Sequence, residues 1–136
     1  MMISHIDHLV LTTRDIKACC DFYTRVLGME LVQFGNGRIA LQFGQQKINV
    51  HEYGKEIEPK AHLPVPGSLD ICFVGAHSVE TTHANLLGLE VEILQGPVSR
   101  TGACGPIVSF YLRDPDLNLI EIAHYQTKES ETTGKL

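Results

Sequence analysis

Four residues in this 136-residue chain combine metal-capable chemistry with matching places in strand-like segments: His8, His51, Asp70 and Glu121. They lie in "HLVLTT", "KINVHEY", "SLDICFV" and "NLIEIA". Successive side chains of a strand point to opposite faces, so residues two apart share one. Leu9 and Leu11 then oppose His8, Val10 and Thr12, and Ile48 and Val50 oppose Asn49 and His51. Leu69, Ile71 and Phe73 oppose Asp70, and Ile120 and Ile122 oppose Glu121. Each strand has an aliphatic face for a core and a second face with one metal-capable group. A buried carboxylate without a partner either neutralises or finds a cation. Two imidazoles and two carboxylates supply nitrogen and oxygen donors for one divalent ion, with Ni, Mn, Zn, Fe and Mg all compatible. The expectation is therefore a metal site of His8, His51, Asp70 and Glu121.

Other side chains are candidates for the same surface. Tyr111 and Ser109 share a face of "IVSFYL", expected to be that of Glu121, and Arg100 stands in "VSRTGACG", which reads as a glycine-flanked loop able to close over a ligand. These three are the expected substrate-binding residues. His5 is three residues before His8 and points to the opposite strand face, and local or solvated roles suffice for His62, His77, His83 and His124. Cys19, Cys20, Cys72 and Cys104 show neither zinc-ligand nor redox spacing, so they read as buried or idle thiols. "DPD" at 114–116 reads as a turn rather than a ligand set.

The elements that must hold these groups repeat. Residues 8–32 read as strand, helix, glycine stop and strand, with Thr13 or Asp15 as helix cap and Gly28 as the stop. Residues 69–93 read the same way, with Ser78 as cap and Gly88 as stop. "VLGMELV" and "LLGLEVE" echo each other 60 residues apart. Further strands follow each unit, "RIALQFG" and "KINVHEY" in the first and "IVSFYLRD" and "NLIEIAHY" in the second. The chain reads as an α+β protein of two βαβββ modules, about 4–60 and 66–125, forming curved mixed sheets with helices on the outer face. Together they make a single domain over 1–125, joined near "KAHLPVPG", and the polar stretch 126–136 is expected to fray.

Composition narrows the partners. A net charge of -5 without a Lys/Arg cluster argues against nucleic acid, and no apolar run approaches the ~18 residues of a membrane span. The first residues carry no secretory pattern, which makes the cytoplasm the expected location.

The duplicated layout, "IDHLVLTTRDIKACCDFYTRVLGMEL" and "FYLRDPDLNLIEIAHY" together resemble the vicinal oxygen chelate superfamily, which includes glyoxalase I, extradiol dioxygenases and the fosfomycin and bleomycin resistance proteins. "KINVHEYGKEIEPKAHLPVPGSLDICF" and "GPVSRTGACGPI" are more similar still to small glyoxalase-domain-containing proteins, including a bacterial branch labelled virulence proteins. The resemblance implies a glyoxalase-like fold, a homodimer, and metal ligands at His8, His51 and Glu121. It places Asp70 where the enzymes usually have histidine. Resemblance to glyoxalase I implies Glu121 as catalytic base in lyase or isomerase chemistry on a small substrate with vicinal oxygens, such as a hemithioacetal. A metal-free ligand-binding protein of the bleomycin-resistance kind is the alternative. An extradiol-type dioxygenase is a weaker one, because only His8 among His8, Asp70 and Glu121 is the histidine that a 2-His-1-carboxylate site needs twice.

Overall fold

The computed structural model describes residues 1–126, so the 127–136 part of the tail reading lies outside the described residues. Eight strands and two helices follow in the order β1 (His8–Thr13), α1 (Ile16–Arg25), β2 (Glu30–Phe34), β3 (Arg38–Phe43), β4 (Gln46–Glu52), β5 (Asp70–Val74), α2 (Val79–Gly88), β6 (Gln95–Gly102), β7 (Gly105–Arg113) and β8 (Leu119–Tyr125). They form two four-stranded mixed sheets ordered β1-β4-β3-β2 and β5-β8-β7-β6. Each is the sheet of one βαβββ module, and the two orders are the same. The first strand of each module pairs in parallel with the last, and the remaining pairs are antiparallel.

By contacts the chain divides into one unit of residues 1–69 with 114–118 and a second of 70–113 with the strand from Leu119 onward. In the first unit, Leu11, Leu41, Ile48 and Val50 form a continuous buried apolar face because the register sets Leu11 beside Val50 and Leu41 beside Ile48. Helix α1 turns Cys19, Cys20, Phe22 and Tyr23 inward. Asp15 caps it by accepting from Ala18 N, which satisfies one of the amide groups that a helix start leaves unpaired. Gly28 takes a left-handed φ of 72° just past the end, where a side chain would be strained.

The segment 114–118 belongs to this unit through a buried carboxylate. Asp114 is 2% exposed and accepts four hydrogen bonds: from Tyr23 Oη at 2.7 Å, Asn118 Nδ2 at 2.8 Å, Asp116 N at 2.9 Å and Asn118 N at 3.0 Å. Asn118 Oδ1 in turn accepts from Leu69 N. The "DPD" turn is thus a turn, built around one fully satisfied anion rather than a ligand set. Burial and the neighbouring Asp114 charge push the Tyr23 hydroxyl far above its ordinary pKa, so it remains a donor.

In the second unit Ile120, Ile122, Phe110 and Leu112 make the buried face. On that face the imidazole of His83 in α2 tilts against Phe110, and Thr82 Oγ1 hydrogen-bonds His124 Nε2 at 2.8 Å, the local role expected for both histidines. Two expectations about this module fail. Gly88 is the last residue of α2 rather than its stop; the chain leaves the helix through Leu89 and turns at Glu90, which takes φ 58°. The strand expected over 89–93 does not form, and β6 begins at Gln95, so Arg100 lies on a strand and not in a loop. The reason is pairing: residues 98–102 find a ladder against 105–109, a tighter hairpin than any partner offered to "LEVEI".

Tyr23→Phe removes one of the four donors to Asp114 and should lower unfolding stability in urea by about 1–2 kcal/mol. Asp114→Ala strands four donors at once and should cost at least about 3 kcal/mol in the same measurement.

Candidate functional site

Strand alternation places the candidate residues on the side of each sheet opposite the aliphatic core. In the second module Asp70 pairs with Leu119, Cys72 with Glu121, and Tyr111 with Glu121 across the other edge of β8. Ser109 pairs with Ala123 and Val98, and Arg100 with Ile107. One face therefore carries Asp70 and Cys72, Glu121, Ser109 and Tyr111, and Arg100, in order across the four strands. Asp70 and Glu121 are two residues out of register on neighbouring strands, a diagonal of ~8 Å between Cα atoms. Neither has an ion pair among the described residues. Asp70 is exposed and Glu121 half-buried, so desolvation is not what demands a partner for Asp70.

Around this pair the face is polar. Arg100 Nε donates to Tyr111 Oη at 3.1 Å, and the guanidinium stands 5.4 Å over the Tyr111 ring. The cation is therefore positioned by the tyrosine and not neutralised by either carboxylate. Ser109 is fully buried and its Oγ has no hydrogen-bond partner. Cys72 is exposed, yet burial of its sulfur and then the adjacent Glu121 carboxylate push its thiol up to about 11.

In the first module the register separates the two candidate histidines. His8 pairs with Lys47 and Thr12 with His51, so His51 is four residues further along the β1–β4 ladder, ~13 Å at strand rise. At metal–nitrogen distances of ~2.1 Å, imidazoles rising from these two places do not meet on a common ion. His8 stands alone at its end of the face, with its Nδ1 2.7 Å from Asp7 Oδ2. That contact holds the Asp7 carboxyl below its usual range. In the neutral ring, Nδ1 is then the donor and Nε2 carries the lone pair outward, the tautomer a metal ligand uses. Asp7 escaped the reading of the sequence, although an acid next to a strand histidine was visible in "IDH".

His51 has a different setting. It is 8% exposed, and its Nε2 is buried without a hydrogen-bond partner. Asn49, on the same face two residues earlier, is also buried and has an unpartnered Oδ1. Burial, then the Arg38 charge, pull the His51 pKa down, so the ring is neutral at pH 7. A cavity of about 350 Å³ opens beside it, between β1 and β4 on one side and residues 59–69 on the other. Among the described residues, no group of three or more His, Cys, Asp or Glu side chains is arranged to hold a metal ion.

Residues 5–122 match the model of the Glyoxalase/Bleomycin resistance protein/Dioxygenase superfamily. The chain is 54% identical over 126 residues to the glyoxalase domain-containing protein RDO1 of Mycosarcoma maydis, an alignment covering 93% of this chain and 71% of that protein. It is 50% identical over 125 residues to the virulence protein STM3117 of Salmonella typhimurium, covering 92% of this chain and 87% of the relative. Among solved structures, the integron cassette protein VCH_CASS1 from the mobile metagenome of Vibrio cholerae is 53% identical, with a TM-score of 0.90 over 93% of this chain and 98% of that one.

The Cys72 setting is directly measurable. With a thiol raised from 9.0 to about 11, Cys72 should react with iodoacetamide at pH 7.5 at least about tenfold more slowly than free cysteine, for want of thiolate. Mass spectrometry of timed samples should also show Glu121→Gln accelerating Cys72 alone.

Proposed function

Because the chain belongs to the glyoxalase/bleomycin resistance protein/dioxygenase superfamily, we propose that it is a metal-dependent, glyoxalase-like enzyme acting on a small molecule with two vicinal oxygens, by lyase or isomerase chemistry. The main support is the Asp70–Glu121 pair: two carboxylates on one sheet face, two residues out of register and without an ion pair among the described residues. Their donor chemistry fits a divalent cation, and so does His8, whose ring Asp7 orients with Nε2 outward.

The ligands we propose are His8, Asp70 and Glu121, which a homodimer would bring together between two copies of the chain, since no three such side chains are arranged to hold an ion among the described residues of one. His51, counted with them on sequence, is left out because of its four-residue offset from His8. The metal, one ion of Ni, Mn, Zn, Fe or Mg, would supply Lewis acidity that polarises a substrate carbonyl and acidifies the C–H beside it. Glu121 takes that proton on a carboxylate oxygen and returns it to the neighbouring carbon, the general-base task a half-buried carboxylate can perform. Arg100, held by Tyr111, steadies an anionic part of the substrate, and Tyr111 supplies a hydroxyl to its oxygens, while Ser109 is fully buried beneath this face.

Elemental analysis of the protein purified without chelators should find about one divalent ion per chain, and light scattering on the same sample should give the mass of a homodimer. His8→Ala with Glu121→Ala should lose the metal while the circular dichroism spectrum is kept. A metal-free wild-type protein that cannot be loaded with any of the five ions would move the reading to ligand binding without turnover. If the substrate is a hemithioacetal, methylglyoxal with glutathione should give a thioester absorbance. Glu121→Gln should then lower kcat by at least about a hundredfold with little change in metal content.

A further inference from the structure

We propose that Arg38 and Lys47, set around the ring of Phe34 on the first-module sheet, form a site for a small dianion, the phosphoryl group of a phosphate monoester. It stands apart from the metal reading, because none of the three is a proposed ligand and all belong to one unit.

Strand register gathers the three side chains. Phe34 pairs with Arg38 across β2 and β3, and Gln42 pairs with Lys47 across β3 and β4. By alternation Phe34, Arg38, Ala40, Gln42 and Lys47 share one face. Strand β3 separates Lys47 from Phe34, and at its middle that face presents only the methyl group of Ala40, which leaves room for the long lysine stem to cross. Lys47 Nζ ends 3.7 Å from the centroid of the Phe34 ring, and Arg38 Cζ stands 4.7 Å from the same point. The two charges are thus no more than about 8 Å apart. All three residues are half-buried, so solvent reaches them.

Nothing nearby neutralises this pair. An aromatic ring attracts a cation through its quadrupole but carries no net charge to cancel it. In a chain of net charge -5, Arg14, Arg25, Lys55 and Lys60 each have an acidic partner within 4.0 Å, whereas among the described residues Arg38 and Lys47 have none. Asp7 feels the Lys47 charge but is hydrogen-bonded to His8. Glu56 is engaged by Gly54 N and by Lys60, and Glu30, on the same face of β2, is exposed beside Gln42. His51 feels the Arg38 charge and is held neutral. Both cations therefore keep their charge and their donors for a ligand.

Spacing and charge set its class. A phosphoryl group that accepts from both cations at ~2.8 Å spans a gap of this width. A guanidinium offers a planar fork to two of its oxygens, and an ammonium adds a point charge to the third. A carboxylate brings one charge to the two cations, and a phosphate monoester brings two.

Methyl phosphate and acetate, alike in their methyl group and unlike in charge, separate these features. The full chain, labelled with ¹⁵N at arginine and ¹³C at lysine and freed of metal with EDTA, is titrated at pH 8, where methyl phosphate is a dianion. Methyl phosphate should give saturable shifts at Arg38 Nε and Lys47 Cε. Its Kd should be at least about tenfold below that of acetate and should rise with added salt, and inorganic phosphate should displace it. Arg38→Gln and Lys47→Gln should each weaken binding at least about fivefold. Lys17→Gln, an equal loss of charge at an exposed position of α1, should leave it unchanged. Absence of saturable shifts at Arg38 and Lys47 in the wild-type protein overturns the proposal whether or not the variants fold. So does acetate binding as tightly as methyl phosphate, failure of inorganic phosphate to compete, or a loss in Lys17→Gln as large as in Arg38→Gln and Lys47→Gln. Binding by a protein that takes up no metal would sink the enzyme reading and leave this one standing, and a metal-loaded protein blind to methyl phosphate would do the reverse.

Discussion

The parallel pairing of the first strand of each module with its last governs what the faces can present. Residues nearly a whole module apart become lateral neighbours, and β1–β4 and β5–β8 are each flanked on one side by antiparallel strands. Because the side-chain period is two, once Leu11 is set beside Val50 and Ile71 beside Ile120, His8, His51, Asp70 and Glu121 are all committed to the other face. A slip of one residue would exchange core and site together. The apolar faces thus specify the site's location without containing any of its residues.

Electrostatics then distinguishes structural carboxylates from candidates for chemistry. Asp114 is buried and saturated by four donors, so its charge is consumed in holding 114–118 within the first unit. Asp70 and Glu121 are near each other on an open face and lack cationic partners among the described residues, although Arg100 shares that face. Arg100 is committed to Tyr111 instead. The carboxylate oxygens of Asp70 and Glu121 are therefore left as donors for a cation brought from outside. The same contrast holds among the histidines. His124 is buried and bonded to Thr82, His8 is oriented by Asp7 and open, and His51 is buried with Nε2 unpartnered beside a cavity.

Much of this was legible because it rests on local pattern. The caps at Asp15 and Ser78, the stop at Gly28 and the alternation within β1, β4, β5 and β8 all follow from residue types a few positions apart. Legibility failed where two local signals competed. "LLGLEVE" copied "VLGMELV" closely enough to suggest a strand after Gly88, but a strand exists only where a partner ladder is available, and the hairpin of β6 with β7 took that place. The glycines around Arg100 looked like a loop for the same reason. Gly96, with φ 125°, fits tightly against β7: a Cβ there would come within 2.5 Å of the Ser109 carbonyl oxygen.

What the sequence by itself determined is the duplication, the α+β class and the side of each strand on which His8, His51, Asp70 and Glu121 stand, since all three depend on periodicity along the chain. Which of those residues lie near one another was decided only by tertiary structure. Alternation says which face a residue occupies but nothing of its height on that face; height comes from the register between strands whose pairing spans dozens of intervening residues. That register brings Asp70 towards Glu121, carries His51 away from His8, and leaves the imidazole of His51 beside a cavity that strand pattern alone does not reveal.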